Sequence, residues 1–502
     1  MTSAPGFDGV VAGMAVAIPL AAGALILVTP RRLAEAWSYL AAAGAVTCVA
    51  MLLGPVLGGA RPELQVLRLV PGLALTLRVD ALGLTFGLLA SGLWVITTVY
   101  SSGYARADHL KSRPRYFASF AASVGAAIGV AFAGNLLTFF LFYEALTLAT
   151  YPLVVHKETE KAFAAGRRYL LFALGSGLAL LTAIAWTWSL TGSLDFTPGG
   201  FLHAVESPGT RTALIVLFLL GVSVKSAVMP LHAWLPAAMV APTPVSALLH
   251  AVAVVKAGVF GVMRVMAFVF GPASLEGLAA QQGLAAMAAA TIVVGSLIAV
   301  RQDNLKRRLA YSTVVHLAYI VLGAALVAPL GLVGSMVHMV NHGLAKITLF
   351  FCAGAIYATT HLENVSDLRG LGRRMPWTFG AFAVASLGLV GVPGLSGFVG
   401  KFFLCRGAVE AGDMVALAIM LGASLFTAAY LLPIVQIAFF PGPLPPGVPE
   451  RHAGVSEARP ALVLPLLATA ALVVVFGAVP IVIGVQYDLA SAVSALVFGG
   501  AR

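Results

Sequence analysis

Apolar runs long enough to cross a bilayer follow one another along the whole chain, with short polar loops between them. A helix of about 20 apolar residues spans the ~30 Å hydrocarbon core of a membrane. We identify fourteen such runs, at residues 9–29, 36–58, 81–103, 116–134, 136–155, 166–190, 211–236, 245–270, 279–300, 307–327, 331–359, 376–404, 412–440 and 460–484. The pattern predicts an all-α polytopic membrane protein with about fourteen transmembrane helices.

Composition supports this fold class and excludes several kinds of function. Only 10% of the 502 residues are charged and 60% are hydrophobic, whereas soluble domains carry about 25% charged residues. Cys48, Cys352 and Cys405 lie far apart within apolar runs, so the sequence offers no ligand set for an iron–sulfur cluster or a structural zinc ion. We therefore expect no cofactor, no metal, and no redox or hydrolytic active site in this chain.

The charged residues are distributed in a way that orients the helices. The loops alternate between basic and non-basic, and Lys- and Arg-rich loops face the cytoplasm. The basic side holds 19 of the 30 lysines and arginines: Arg31, Arg32, Arg106, Lys111, Arg113, Arg115, Lys157, Lys161, Arg167, Arg168, Arg301, Lys306, Arg307, Arg308, Arg369, Arg373, Arg374, Arg451 and Arg459. The other side and the tail hold Arg61, Arg68, Arg78, Arg211, Arg406 and Arg502. Both termini are thus predicted on the outer face, and the net charge of +11 reflects topology rather than nucleic-acid binding.

Ionisable residues inside the predicted spans are the candidates for function. Five cations remain there, namely Lys225, Lys256, Arg264, Lys346 and Lys401. They are joined by Glu144 and by the histidines His232, His250, His316, His338 and His342. A charge at mid-membrane costs roughly 2.5–3.5 kcal/mol on insertion scales, so such residues usually mark an ion or proton pathway.

Glu144 and Lys225 form the first candidate group. Glu144 lies in the middle of its predicted helix, where a carboxyl group can exchange protons near neutral pH or can serve helix association instead. Lys225 precedes Pro230, which interrupts its helix, and interrupted helices line ion sites in transporters. Snorkelling to the interface is the alternative for Lys225. His232, near the same helix end, fits either the interface or the pathway.

The following span carries His250, Lys256 and Arg264. His250 and Lys256 are about 120° apart around the helix, so they need not share a face. Both could approach one hydrated axis, while a hydrogen-bonded core position is the alternative for His250. We interpret Arg264, near the outer end of the span, as an anchor that snorkels to the interface.

A third group of titratable residues lies on one helix face. His338, His342 and Lys346 are spaced i, i+4 and i+8. A histidine pair at this spacing could bind zinc, but no carboxylate lies nearby and the lysine would repel the metal. A line of proton-accepting groups favours a proton relay, which His316 and Ser312 could extend.

Lys401 follows a glycine-rich stretch with Pro393, which predicts a second interrupted helix. The stretch looks like a phosphate-binding loop, but Leu395 stands where the motif needs glycine and Phe402 where it needs Ser or Thr. Lys225 and Lys401, each beside a broken helix and about five spans apart, suggest two structurally repeated halves.

The chemistry of these groups suggests a transfer mechanism. Glu144 and Lys225 stabilise each other's charged forms if they lie within ~4–6 Å. Moving the carboxylate away would release the proton of the lysine. Lys256, the histidines and Lys401 would then accept this proton and pass it on.

Taken together, these residues resemble the antiporter-like membrane subunits of respiratory complex I, Mrp-type cation/proton antiporters and energy-converting hydrogenases. The resemblance covers roughly residues 80–440 and is carried by stretches such as NLLTFFLFYEALTLATYPLV, VKSAVMPLHAWLP, DNLKRRLAYSTVVHLAYI and HMVNHGLAKITLFF. The stretch LRGLGRRMPWTFGAFAVASLGLVGVPGLSGF is most similar to the D-type Mrp subunit and its relatives. The complex I M-type branch has glutamate at the position of Lys401, and this chain departs from it there.

The resemblance implies two inverted five-helix repeats with broken helices 7 and 12. It divides the chain into residues 1–110 with helices 1–3, 116–270 with helices 4–8, 279–440 with helices 9–13, and 441–502 with helix 14 and the tail. The resemblance also implies roles for the site residues. Glu144 matches the family's fifth-helix glutamate, Lys225 its seventh-helix lysine and Lys256 its eighth-helix bridging lysine. Lys401 matches the terminal residue of the twelfth helix, and the residues with matches in the complex I L-type subunit are His250, His338, His342 and Lys346.

The predicted function is that of a proton-translocating, antiporter-like subunit of a larger membrane complex. An Mrp-type Na⁺/H⁺ antiporter subunit, similar to the D-type, is preferred. A pump module driven by a quinone reductase or a hydrogenase is the first alternative, and a non-conducting scaffold is the second. The expected partners are the other membrane subunits of such a complex, and the expected location is the cytoplasmic membrane of a bacterium or an archaeon.

Overall fold

The computed structural model describes residues 6–70, 72–275, 277–440 and 457–499, which are almost entirely helical. The predicted loop cation Arg451, the tail residue Arg502 and part of the segment 441–502 lie outside these described residues. The first elements are α1 (Phe7–Val28), α2 (Ala34–Met51), α3 (Leu53–Leu57), the strands β1 (Glu63–Val70) and β2 (Leu73–Arg78), and α4 (Ala81–Ala107).

Sixteen further α-helices follow in the described chain. The first eight are α5 (Arg113–Ala131), α6 (Leu136–Val154), α7 (Glu160–Thr191), α8 (Pro208–Ser223), α9 (Trp234–Ala237), α10 (Thr243–Ala247), α11 (Val254–Arg264) and α12 (Gly271–Leu275). The last eight are α13 (Ala279–Arg301), α14 (Leu305–Ala325), α15 (Pro329–Thr360), α16 (Pro376–Val390), α17 (Ser396–Glu410), α18 (Met414–Phe439), α19 (Pro460–Ala478) and α20 (Pro480–Phe498).

The length and hydropathy of these helices confirm a polytopic α-helical membrane protein. Within the described ranges, twelve helical stretches are long and apolar enough to cross a membrane. Two shorter apolar helices, Pro208–Ser223 and Pro376–Val390, end where the helix path is interrupted. The total of fourteen transmembrane helices stays a prediction.

Polar residues at the loop–helix junctions define where several spans begin. Asp80, Asn135 and Asn304 precede α4, α6 and α14, and their side chains accept hydrogen bonds from backbone N–H groups of the first turn. Such caps satisfy donors that have no partner within the helix. Gly192 ends α7 in the left-handed conformation that glycine adopts without strain.

Both predicted helix interruptions are confirmed. After α8 the chain is irregular as far as Trp234, whose indole Nε1 donates to the carbonyl of Val224 at 2.7 Å. This bond satisfies one of the backbone groups that the break leaves free. The second break separates α16 from α17 at Gly391, whose φ of +97° suits glycine.

The span that follows the first break is distorted in a way that hydrophobicity did not predict. It runs from Thr243 to Leu275 and is fully buried in its most apolar part. Two π-helical segments, Leu248–Val252 and Val265–Phe270, interrupt its α-helical bonding. Such π-segments occur frequently at functional sites.

Helix α15 forms the centre of the bundle. It has 32 residues, and every residue from Gly331 to Ile356 is buried. It packs against α4, α10, α14, α16, α17, α19 and α20, so elements from both halves of the chain meet on it.

Two elements were missing from the sequence prediction. The run predicted at 460–484 is divided at Val479, because Pro480 cannot donate a backbone bond, and a separate helix α20 continues to Phe498. The sequence prediction treated the residues after 484 as a tail. The β1–β2 hairpin was also missed, since β1 is largely exposed and shows no buried face.

Both ends of the described chain lie at the end of the bundle that carries β1 and β2, which we call the hairpin end. Gly9 in α1 packs against the backbone of Glu63 in β1. Leu496, near the end of α20, lies beside Arg61 and Arg78. The placement of both termini on the outer face of the membrane stays a prediction.

Candidate functional site

Glu144 and Lys225 form an ion pair inside the bundle. Helix α6 places Glu144 so that its Oε1 lies 3.9 Å from Lys225 Nζ, just beyond the end of α8. The Lys225 side chain is completely buried, and that of Glu144 is 17% exposed. The separation is short enough for the two opposite charges to stabilise each other, which happens within ~4–6 Å.

The lysine is held by more than the carboxylate. Its Nζ donates a hydrogen bond to the backbone carbonyl of Tyr143 and lies 3.3 Å from the centroid of the Tyr143 ring. An aromatic face attracts an ammonium group, and more strongly where water is excluded. Lys225 therefore keeps two favourable contacts if the carboxylate moves.

The Glu144 carboxylate faces a narrow space at α7. A Cβ atom built on Gly177 would lie 2.7 Å from Glu144 Oε1, so a larger residue at this position would force the carboxylate to shift. Both carboxylate oxygens are buried and lack a hydrogen-bond partner among the described residues. A buried carboxylate with one ionic partner and no further donors is poised to move or to exchange a proton.

The next lysine along the chain, Lys256, contacts the central helix. Its Nζ lies 2.5 Å from Nδ1 of His342, and both side chains are fully buried. Gly258, two residues further along α11, packs against the backbone of Lys225. The two lysines thus stand on adjacent elements, although no hydrogen bond in the described part of the chain joins them.

Three histidines continue the line from Lys256. His342 and His316 have ring centroids 5.4 Å apart, and His316 Nδ1 lies 3.2 Å from His338 Nε2. The other ring nitrogen of each histidine is buried without a hydrogen-bond partner in the described ranges. An imidazole can accept a proton at one nitrogen and release it from the other, so this arrangement suits transfer along a chain.

Tyr319 connects the histidines with Lys401. Its ring centroid is 5.9 Å from that of His338, and Lys401 Nζ lies 5.2 Å from its centroid. Lys401 Nζ also donates to Ser424 Oγ at 2.9 Å and to the carbonyl of Val390 at 3.0 Å, at the second helix break. The buried groups therefore extend from Lys256 to Lys401 through close contacts.

Lys346 branches from this line. Its Nζ donates to Ser312 Oγ at 2.7 Å and to the carbonyl of Leu309 at 3.1 Å, on α14. Ser312 precedes His316 by one helical turn, so Lys346 reaches the same helix as the histidine line.

The structure does not bring His250 and His232 into this line. His250 lies in a π-helical segment with its ring 4.7 Å from that of Phe350, and neither nitrogen has a hydrogen-bond partner in the described chain. Among the described residues, no protein group provides the hydrogen bond that the core alternative for His250 requires. His232 is half-buried beside the first break, 6.1 Å from the ring of Tyr311.

The interpretation of Arg264 as a snorkelling anchor is wrong. Arg264 is 1% exposed and makes a two-pronged ion pair with Asp80, the N-cap of α4. The guanidinium also lies 4.6 Å from the ring of Phe268 and 5.0 Å from that of Phe260. A planar guanidinium fits a carboxylate and aromatic faces together, which explains its burial. The ion pair of Arg264 with Asp80 links α11 to α4, and Arg264 is not part of the line of proton-accepting groups.

Sequence analysis missed three polar residues at this site. Tyr319 and Ser424 bridge the histidines and Lys401, and Lys306, counted as a loop cation, donates to the carbonyl of Ala241 at 2.6 Å. Tyr319 follows His316 by three residues and so shares its helix face, a spacing that could have identified it. No sequence signal links Ser424 to Lys401.

The loop after α6 contains titratable groups that contact Arg115. The hydrogen bond and charge of Arg115 hold the pKa of Glu158 below its usual range. Burial lowers the pKa of His156, and the charge of Arg115 adds to this effect. The His156 ring lies 3.0 Å from the carbonyl of Lys111, which closes the loop against the start of α5.

Known proteins resemble this chain in sequence over most of its length. NADH-quinone oxidoreductase subunit N of Desulforudis audaxviator is 33% identical over 412 residues, which make 78% of this chain and 80% of that protein. The A-type Na⁺/H⁺ antiporter subunit of Alkalihalophilus pseudofirmus is 31% identical over 82% of this chain, which spans 53% of that protein.

Solved structures share the fold. A chain of the Mrp complex from Dietzia sp. DQ12-45-1b superposes with a TM-score of 0.87 at 23% identity, over 99% of this chain and 98% of that chain. A chain of respiratory complex I from Thermus thermophilus gives a TM-score of 0.80 at 24% identity, over 97% and 99%. The family described as the NADH:quinone oxidoreductase/Mrp antiporter transmembrane family matches residues 133–427. The chain is a member of this family of antiporter-like membrane subunits.

Proposed function

We propose that this chain carries protons across the membrane along its buried lysines and histidines. The supporting observation is the line of side chains from Lys256 through His342, His316 and His338 to Tyr319 and Lys401, with neighbouring members in contact. Titratable groups in a bilayer usually serve such a pathway, because their burial is costly. Lys346 joins through Ser312, while His250 and His232 need water to take part.

The ion pair of Glu144 and Lys225 acts as the control element of this pathway. With the carboxylate close, the ammonium form of Lys225 is stabilised. When the carboxylate moves away, the lysine releases its proton toward Lys256, whose helix packs against the Lys225 backbone at Gly258. The contacts of Lys225 with Tyr143 keep the lysine in place during this change.

The proposed layout has two five-helix repeats of opposite orientation, at residues 116–270 and 279–440. Each repeat contains one broken helix with a lysine beside the break, Lys225 in the first and Lys401 in the second. The excess of lysine and arginine in the loops on one side of the bundle supports a cytoplasmic position for that side, with both termini outside. The membrane is then the cytoplasmic membrane of a bacterium or an archaeon.

The parent complex we propose is an Mrp-type antiporter that exchanges Na⁺ for H⁺. The sequence similarity to the D-type Mrp subunit supports it, and so does the Alkalihalophilus relative, whose name assigns it to a Na⁺/H⁺ antiporter. The second candidate is a membrane-arm subunit of an NADH:quinone oxidoreductase or a membrane-bound hydrogenase. The relative named NADH-quinone oxidoreductase subunit N supports that alternative, since it aligns with most of this chain.

Purification of the complex in mild detergent distinguishes these two parents. We expect membrane subunits without redox subunits, and proteoliposomes in which a Na⁺ gradient alone moves protons. Co-purification of flavin-, iron–sulfur- or nickel-containing subunits, with proton movement only after addition of an electron donor, would establish the alternative instead.

Replacement of Lys225 tests proton translocation in either parent. We expect Lys225→Ala to abolish proton movement in vesicles that contain the assembled complex, because the pathway loses the group paired with Glu144. Lys161→Ala, which removes an exposed lysine at the start of α7, is the matched control and should behave as wild type. Wild-type proton movement in the assembled Lys225→Ala complex would refute the proposed function.

A further inference from the structure

An apolar cavity of about 450 Å³ lies between α4, α15, α19 and α20, and its lining contains none of the lysines and histidines described above. Leu88, Val337 and Phe476 are typical of its lining. Ile481, at its edge, is 75% exposed, so the cavity opens on the lateral surface of the bundle. Its volume falls within the ~300–1,000 Å³ of ordinary ligand pockets.

A glycine at position 92 leaves space beside the cavity that a larger side chain could enter. A Cβ atom built on Gly92, in the wall formed by α4, would meet no atom within 4 Å. Empty apolar space forfeits dispersion contacts, and water gains little there because it needs polar partners. The medium beside a lateral opening in a bilayer is hydrocarbon, so an acyl chain fits this cavity.

One polar side chain in the wall indicates that the occupant is more than hydrocarbon. Gln486 lines the cavity, and both its Nε2 and its Oε1 are buried without a hydrogen-bond partner among the described residues. A buried amide left unpaired costs about 1–3 kcal/mol. The amide N–H of Gln486 can donate to an ester carbonyl, which lies next to the acyl chain in a phospholipid.

Arginines lie further along the same seam between α4 and α20, at the hairpin end. Val493 and Leu496 of α20 line a small depression together with Arg61, Arg78 and Arg264. Val493 follows Gln486 by seven residues, which is about 10 Å along a helix. The glycerol backbone of a phospholipid, which separates its phosphate from its ester carbonyls, can bridge such a separation together with the reach of the arginine and glutamine side chains.

This arginine cluster has one positive charge in excess. Arg78 pairs with Glu63 and Arg264 pairs with Asp80. Arg61 is exposed and has no ion pair in the part of the chain that the structure describes. A phosphate beside Arg61 would therefore be electrostatically favourable.

We propose that the seam between α4 and α20 binds one anionic phospholipid from the leaflet at the hairpin end. One acyl chain fills the cavity at Gly92, an ester carbonyl accepts a hydrogen bond from Gln486, and the phosphate group lies beside Arg61. The lipid would join α20 to α4 and α15, and this site is independent of the proposed proton transfer.

Native mass spectrometry of the full-length chain, titrated with phosphatidylglycerol or phosphatidylcholine of identical acyl chains, tests the proposal. We expect one tightly held phosphatidylglycerol per chain, bound about fivefold more tightly than phosphatidylcholine, since one arginine near a membrane surface has an effect of this size. Arg61→Gln should remove this preference. Gly92→Leu should remove the tight site, Gly92→Ala should weaken it, and Gly422→Leu, which also fills open space but on α18, should leave it intact.

A comparison of ester-linked with ether-linked phosphatidylglycerol tests the contact at Gln486. Wild type should bind the ester lipid about two- to tenfold more tightly, as expected for one net hydrogen bond, and Gln486→Leu should bind both equally. Three results would overturn the proposal. They are a wild-type affinity for phosphatidylglycerol in Gly92→Leu, equal binding of phosphatidylglycerol and phosphatidylcholine by wild type, and retention of an isoprenoid in place of a phospholipid. The variants of Arg61 and Gln486 decide the matter even if Gly92→Leu does not fold.

Discussion

The replacement of Glu144 by Gln gives the most direct test of the ion pair with Lys225. At the observed separation of 3.9 Å, opposite charges attract by about 4 kcal/mol at an effective dielectric constant of ~20. Loss of this energy corresponds to a factor of roughly 10³ in an equilibrium or a rate. The contacts of Lys225 with Tyr143 do not involve the carboxylate, so the variant removes charge while the lysine stays in place.

Glu144→Asp provides an intermediate case. The aspartate keeps the charge but is shorter by one methylene group, which lengthens the ion pair to ~5 Å and weakens it by about 1 kcal/mol. We expect roughly fivefold slower proton movement in Glu144→Asp and a loss of up to about 10³ in Glu144→Gln. The assay is proton uptake by proteoliposomes with a pH-sensitive dye inside, normalised to the amount of assembled complex.

The order of the two variants decides whether charge or shape matters. Equal rates for Glu144→Asp and Glu144→Gln would show that the fit beside α7, and not the charge, controls transfer. A wild-type rate in Glu144→Gln would refute the role of the ion pair altogether.

Three further predictions concern other parts of the structure. Gly177→Ala would place a methyl group 2.7 Å from the Glu144 carboxylate, so it should slow proton uptake. Gly175→Ala, whose methyl group meets open space, should slow it less, and equal rates would contradict this prediction. His338→Ala should slow proton uptake about tenfold without abolishing it. Loss of one proton-transfer group costs about 10²–10⁴-fold where nothing replaces it, but water can enter the space that the imidazole leaves. Unchanged kinetics would remove His338 from the pathway. Asp80→Asn should lower the free energy of unfolding by about 3–5 kcal/mol because it leaves the buried Arg264 unpaired. The double variant Asp80→Ala/Arg264→Met should recover most of this loss, and thermal unfolding measures both effects.

Sequence reasoning predicted the fold class well because each span carries its own signal. A run such as residues 136–155 is apolar enough to define a helix without knowledge of its neighbours, and α6 covers Leu136–Val154. The sequence signals for the two helix breaks were equally local, since Pro230 and the glycines before Lys401 predict them. The hairpin and α20 carry weaker local signals, and both depend on contacts with distant elements for their position.

The sequence predicted which residues belong to the site better than it predicted the contacts between them. Burial of Glu144 and Lys225 followed from their place in apolar runs, whereas the distance between them depends on how α6 packs against α8. Arg264 shows the limit of this reasoning. Its position near a helix end is typical of a snorkelling side chain, and the partner that reverses this interpretation, Asp80, lies 184 residues away in the sequence.

The burial of α15 has a consequence for how the protein is made. Its most apolar window has a mean hydropathy of only 1.3, and all of that window is buried inside the bundle. A helix that carries His338, His342 and Lys346 inserts into bare lipid at a cost of about 3 kcal/mol for the lysine alone. During synthesis, α15 therefore gains stability only as α4, α10 and α14, which precede it, and α16 and α17, which follow, close around it. We expect the insertion machinery to retain this segment until the second half of the chain has been translated.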